Sequence, residues 1–379
     1  MEIQRALEVQ ILRELRRDSQ EVVILYGPRR VGKTVLTEKI VGIFGEKTKI
    51  FLCDDPDVQR QLLGIGLAGV KRIVGDNRLV VFDEAQRVEN IGTVLKLLTD
   101  YVPGVRVLVT GSSSLDLANT ISEPLTGRKK TFFMYPIAYG EVQTAGEILA
   151  GSELALWLRF GMYPAVLQKN DLDEKQMYLR ELTRDYLYKD VLHFLGEKNS
   201  EAVRRLLVAL ALQIGQEVSY TELGQTVGMD PKTVVKYIEL LEQNFVVIRL
   251  MAFSRNLRTE LKKTRKIYFY DVGIRNAILD NFGEFEKRND LGQVWENWVI
   301  IERMKRDSYK NEHKNYYFWR THEQKEVDLI EEKDGKLTAV EIKWKVSGES
   351  KHQRDFAKIY PETRLLTVDH MNVGEFLEE

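Results

Sequence analysis

The feature that most constrains this chain is the octet Gly27-Pro28-Arg29-Arg30-Val31-Gly32-Lys33-Thr34, which satisfies G-x-x-x-x-G-K-[ST] without a mismatch. It follows an apolar, β-branched run, Val22 to Tyr26, and precedes an amphipathic segment carrying Leu36, Ile40, Ile43 and Phe44. Strand, loop and helix therefore come in the order such a loop requires. Glycines let the backbone turn tightly and present successive N–H groups to an anion, and a helix starting near Lys33 points its positive dipole end the same way. Lys33 is expected to reach β- and γ-phosphates, and the Thr34 hydroxyl to offer a ligand to Mg²⁺.

A second stretch fits the same chemistry. Leu79-Val80-Val81-Phe82 runs into Asp83-Glu84, as a strand buried on both faces does when its C-terminal end meets a ligand. Asp83 is expected to hold the Mg²⁺ shell and Glu84 to act as general base on the attacking water. The strand Val105–Thr110 leads into Gly111-Ser112-Ser113-Ser114. Ser112 is the first candidate for sensing a γ-phosphate or orienting water and Thr110 the second; a serine helix cap is the plain alternative. Arg128, in Leu125-Thr126-Gly127-Arg128, reads either as an arginine finger reaching a neighbouring copy or as a solvated basic turn. Strands and helices alternate up to about residue 140, which predicts a parallel sheet with helices on both faces.

The 379 residues predict two to three domains, and 44% hydrophobic content supports real cores. A net charge of −1 gives no global pull toward nucleic acid or membrane, so a basic surface must be local. With Cys53 alone, an internal disulfide and a cysteine-based zinc site are excluded. The five histidines show no metal-ligand spacing. The N-terminal residues have acidic groups and a helical period where a signal peptide needs an apolar core, and no apolar run approaches 18 residues, so a cytoplasmic protein is expected.

Residues 141–200 read as a helical connector or lid. Residues 201–270 read as helix, turn, helix and hairpin, the order of a winged helix. That stretch holds 11 Lys and Arg against 7 Asp and Glu. The excess gathers at Arg255, Arg258, Lys262, Lys263 and Arg265, a loop suited to gripping phosphates, unless the module only packs. In residues 271–379, Glu326–Ile330 and Leu337–Trp344 form a predicted hairpin about Asp334-Gly335. Alternation points Asp328 and Glu341 to one side, and Lys343 shares the face of Glu341. With Glu296 as a third carboxylate they could bind Mg²⁺, while Lys343 activates water or steadies developing charge.

Taken together, the Gly27–Thr34 loop, Asp83-Glu84, the VTGSSS and LTGR segments, the winged-helix pattern and WEN…WRT…EVDLI…VEIKW resemble a large prokaryotic family. Its members join an AAA-type ATPase core to a C-terminal region with a restriction-endonuclease-like fold and no assigned function. The resemblance covers nearly the whole chain. It implies ATP binding at Gly27–Thr34 and Asp83-Glu84, and an α/β fold: a P-loop NTPase sheet of the additional-strand AAA class, then a connector, a winged helix and a small nuclease-like domain. The C-terminal motif also resembles PD-(D/E)xK, carried by Asp328, Glu341 and Lys343, with Val327 where that signature has proline. The expected function is Mg-dependent ATP binding and hydrolysis with engagement of nucleic acid, DNA before RNA, and metal-dependent cleavage as a further activity. A homo-oligomer is compatible with this reading. The alternative is an ATP-dependent switch or scaffold acting on a protein partner, its nuclease-like domain inactive.

Overall fold

The computed structural model describes residues 3–112, 125–144, 151–184, 200–255, 265–321, 323–345 and 350–379. Ser113, Ser114, Arg258, Lys262 and Lys263 lie outside the described residues. Two compact units are present: residues 2–136 with 243–245, and residues 137–242 with 246–379.

The first unit is built on five strands, β1 (Val22–Tyr26), β2 (Thr48–Leu52), β3 (Leu79–Asp83), β4 (Arg106–Gly111) and β5 (Lys129–Phe133). They lie in the order β2-β3-β4-β1-β5, every neighbouring pair parallel. β1 is buried along its whole length, and β3 and β4 nearly so. A parallel sheet covered by crossover helices requires this, and it explains why these strands read as unbroken apolar runs. β4 is inserted between β1 and β3, so the loop after β1 and the acidic pair ending β3 flank the end of β4.

The second unit holds a seven-stranded mixed sheet: β6 (Glu217–Val218), β7 (Val247–Ala252), β8 (Arg265–Phe269), β9 (Asn315–Arg320), β10 (Glu326–Lys333), β11 (Lys336–Ile342) and β12 (Arg364–Val368). The order is β12-β11-β10-β9-β7-β8-β6. The division expected at residue 270 falls inside this sheet, because β7 pairs parallel with β9 through Met251 to Tyr317 and Ala252 to Phe318. Helices Ser200–Leu212, Tyr220–Val227 and Pro231–Gln243 precede β7. Ser219 starts the second of these by accepting from the Glu222 N–H at 3.4 Å. Further on, helix Leu291–Tyr309, strands β9, β10 and β11, helix Lys351–Ile359 and β12 follow in turn. The β10–β11 hairpin turns at Asp334 (φ 52°) and Gly335 (φ 76°), the left-handed pair a two-residue hairpin favours. Phe253, Trp319, Val327, Ile330, Leu337, Ala339 and Phe356 form a buried cluster in this unit. Among the described residues, no helix is long and apolar enough to cross a membrane.

Candidate functional site

In the first unit, Gly27 leaves β1 against the backbone of Met134. A Cβ on Gly27 would stand 2.1 Å from the Met134 carbonyl oxygen, so only glycine fits. The loop then passes through Arg30 (φ 62°) and Gly32 (φ 96°) before helix Lys33–Phe44 begins. Lys33 is buried, and its Nζ donates to the carbonyls of Gly27 (2.8 Å) and Pro28 (3.0 Å), with Glu84 Oε1 3.9 Å away. Thr34 is exposed at the start of the helix.

The ends of β3 and β4 meet beside this loop. Thr110 donates to Asp83 Oδ1 at 2.5 Å and accepts from the Glu84 N–H at 3.0 Å. Ser112 donates to Glu84 Oε2 at 2.9 Å, and Gln86 reaches the same oxygen at 2.5 Å. Each of the two sensor candidates thus takes a different carboxylate: Thr110 sets Asp83, Ser112 sets Glu84. Burial raises the Asp83 pKa, against the Thr110 hydrogen bond. Burial pushes Glu84 the same way, but Lys33, the bonds from Gln86 and Ser112, and Arg29 outweigh it and hold the carboxyl below its ordinary value. The Glu84 carboxyl is therefore held toward its ionised form beside Lys33.

Arg128 stands elsewhere. It immediately precedes β5, its carbonyl accepts from the Val22 N–H at 2.9 Å, and its guanidinium pairs with Asp100. This is the N-terminal edge of the sheet, about 17 Å of strand from the loop, Val22 to Gly27, at a rise of ~3.3 Å per residue. Within its own chain Arg128 does not reach the phosphate loop. Sequence reasoning missed Gln86 and also Arg5, a buried arginine near the N-terminus.

The second unit gathers another group of charges. Register pairs Leu329 with Val340, and one step further sets Asp328 opposite Glu341. Lys343 Nζ lies 3.3 Å from Asp328 Oδ2 and 3.1 Å from Glu341 Oε1, and the Ile342 N–H donates to Asp328 at 2.8 Å. Burial and the Asp328 charge raise the Glu341 pKa. Burial works against the Lys343 ammonium, but the two carboxylates prevail and raise its pKa. Among the described residues, Glu341 Oε2 is buried without a hydrogen-bond partner.

Glu296 does not complete a three-carboxylate set. Its Oε1 accepts from Lys266 Nζ (3.0 Å) and Tyr268 (2.5 Å), and Lys266 also pairs with Glu326 at 2.5 Å. Among the described residues no group of three or more Asp, Glu, His or Cys is arranged to hold one metal ion. A buried lysine from β8 has claimed the carboxylate expected for the metal. Lys266 and Tyr268 sit two apart on one face of β8, and that alternation was the available signal. Of the basic residues expected to grip phosphates, Arg255 lies over the Tyr360 ring at 5.4 Å and Arg265 over the Tyr220 ring at 4.3 Å.

A glycine-lysine loop after the first of five parallel strands, an acidic pair at the end of the third and a fourth strand inserted between them are the arrangement of a P-loop AAA domain. The AAA domain family model matches residues 19–143, and two models described as domains of unknown function (DUF8612 and DUF4143) match residues 152–284 and 291–376. Uncharacterized proteins of Mycobacterium bovis and Mycobacterium tuberculosis are each 30% identical over 327 residues, covering 85% of this chain and 70% of theirs. The chain belongs to one family with these uncharacterized proteins, and its residues 19–143 carry an AAA domain. The Walker-type ATPase of Pyrococcus abyssi shares the fold, with a TM-score of 0.51 at 14% identity over 73% of this chain and 96% of that one.

Proposed function

We propose that this protein binds and hydrolyses ATP at Gly27–Thr34. The observation that carries the reading is the convergence of Lys33, Asp83, Glu84, Thr110 and Ser112 at the C-terminal ends of three adjacent parallel strands. Lys33 moves from the loop carbonyls to the β- and γ-phosphates, exchanging neutral acceptors for charged ones. Thr34, exposed, and Asp83, fixed by Thr110, suit Mg²⁺, which when bound supplies charge neutralisation on the phosphates. Glu84 takes the proton of the attacking water, and Ser112 and Gln86 fix the carboxylate that receives it. The test is isothermal titration and phosphate release with Mg-ATP: Lys33→Ala should lose most nucleotide affinity. Equal affinity in wild type and variant would remove the assignment.

For the second unit we propose engagement of nucleic acid, DNA before RNA. The helix and strand order of the described residues between 200 and 269 supports a winged helix, with the basic sequence between β7 and β8 as its phosphate-gripping part. The helix, three strands, helix and strand that end the chain support a nuclease-like fold carrying Asp328, Glu341 and Lys343. The orphaned Glu341 Oε2 and the adjacent Asp328 suit a divalent cation, which would supply charge stabilisation at a phosphodiester. The engagement of Glu296 by Lys266 favours the alternative, a non-cutting domain in an ATP-dependent switch. Gel shifts and cleavage assays with Mg²⁺ or Mn²⁺ separate them: a cutting domain loses cleavage on Asp328→Ala and keeps ATP hydrolysis, whereas a scaffold cleaves nothing in either form.

A further inference from the structure

The phosphate loop is braced from outside itself. Val31 lies between the two left-handed residues, Arg30 and Gly32. Its carbonyl accepts from Arg5 Nη1 at 2.5 Å, and Arg5 Nη2 donates to the carbonyl of Tyr135 at 2.7 Å. Arg5 itself is 8% exposed. Tyr135 follows Met134, whose N–H donates to the Tyr26 carbonyl at 2.7 Å and whose own carbonyl abuts Gly27. Both ends of the loop therefore rest on the segment leaving β5: the entry directly, through Gly27 against Met134, and the exit through Arg5 to Tyr135.

The peptide between Val31 and Gly32 is trans, as all described peptides are. In a trans peptide the carbonyl and the following N–H point in opposite directions. Drawing the Val31 carbonyl toward Arg5 turns the Gly32 N–H away from it. That N–H is the last before the helix begins at Lys33, where the amide dipoles favour an anion. We propose that Arg5 is a positioning residue of the nucleotide site: its guanidinium holds the Val31 carbonyl outward so that the Gly32 N–H faces a bound phosphate. The inference rests on the ATP-binding reading. A planar fork holds two carbonyls on separate segments through donors of fixed direction, whereas a lysine ammonium is a single point with rotatable donors on a different reach.

The experiment uses the full chain with Arg5→Ala, Arg5→Lys and Lys33→Ala, titrated with Mg-ATP and with inorganic pyrophosphate, alongside thermal melts. Arg5→Ala is expected to weaken ATP and pyrophosphate by the same factor, about tenfold, since the lost orientation acts on phosphate alone. Arg5→Lys should fall between. Added methylguanidinium should restore part of the affinity of Arg5→Ala, and methylammonium should not. Should Arg5→Ala fail to fold, Arg5→Lys at an unchanged melting temperature carries the test by its pyrophosphate affinity. Unchanged pyrophosphate affinity in the folded variants, with Lys33→Ala defective, overturns the role of Arg5 and leaves the nucleotide site standing. Wild-type protein that binds neither ATP nor pyrophosphate overturns the nucleotide reading itself.

Discussion

Both charged clusters place acidic side chains beside a lysine, yet they are organised in opposite ways. At the phosphate loop the ammonium of Lys33 rests on two backbone carbonyls, and the carboxylates of Asp83 and Glu84 are positioned by the neutral donors Thr110, Ser112 and Gln86. In the second unit Lys343 lies between Asp328 and Glu341, and Lys266 between Glu296 and Glu326. The first set is held chiefly by neutral donors and acceptors, with Lys33 and Glu84 3.9 Å apart, whereas the second is held by close ion pairs. Replacing the Lys33–carbonyl contacts by phosphate gains a charged partner; inserting a divalent ion at Asp328 and Glu341 must first displace an ammonium held by two carboxylates.

The comparison is sharpened most by Glu84→Gln. The amide keeps the shape and loses the base, so ATP should stay bound while hydrolysis falls by about 10² to 10⁴. Single-turnover phosphate release set against nucleotide affinity reads this out. If binding falls in step with turnover, Glu84 belongs to the binding framework and the contrast with the second cluster is weakened.

Next in size is Lys266→Met. Removing the ammonium strands Glu296 without its cation and leaves Glu326 to Arg320, and breaking a buried pair costs about 3 kcal/mol or more. Chemical denaturation should show that loss in the second unit's transition, with Mg-ATP affinity unchanged. No loss of stability would mean that the carboxylates repair themselves with solvent, as an open metal site would.

A pH series on Glu296→Gln gives a smaller, signed effect. Burial, followed by the Asp328 charge, pushes the Glu296 carboxyl up to about 7 from 4.5, against Lys266 and Tyr268. Its contribution to stability is therefore fully present below the unfolded value and is lost as pH rises through the folded one. Glutamine cannot ionise and carries no such slope. The melting temperature of wild type should accordingly fall relative to the variant between about pH 4.5 and pH 7. Parallel curves across that window would show that Lys266 keeps Glu296 ionised throughout.

How much of this was legible in the chain depended on the distance between partners. The octet at 27–34 and the apolar run before Asp83 are local patterns, because a strand buried on both faces must be apolar throughout. Asp328, Glu341 and Lys343 were legible through alternation and the Asp334-Gly335 turn, which together dictate a cross-strand neighbour. The joining of β7 to β9 was not, since the pairing of Met251 with Tyr317 leaves no local trace on either strand. Arg5 and Lys266 escaped for the same reason: Arg5 meets residues 26 and 130 positions away, and Lys266 meets Glu296 30 positions on. A lone basic residue in a sequence reads as surface until its distant partner is known.

Arg128→Ala should give the smallest effect of the set. The guanidinium is half exposed and pairs with Asp100 at the N-terminal edge of the first sheet, and an exposed pair of this kind contributes about 0 to 1 kcal/mol. Its side chain lies at the end of β5 opposite to the one that flanks Gly27, so the variant's own loop, Asp83 and Glu84 are untouched. ATP affinity and dilute-solution turnover should therefore stay within about twofold of wild type. An arginine finger acting on a neighbouring copy predicts something else: a loss of ~10³ or more, growing with protein concentration and repaired by mixing with Lys33→Ala protein. Turnover measured across a dilution series, with and without that mixing, separates a surface ion pair from a group that one chain lends to another.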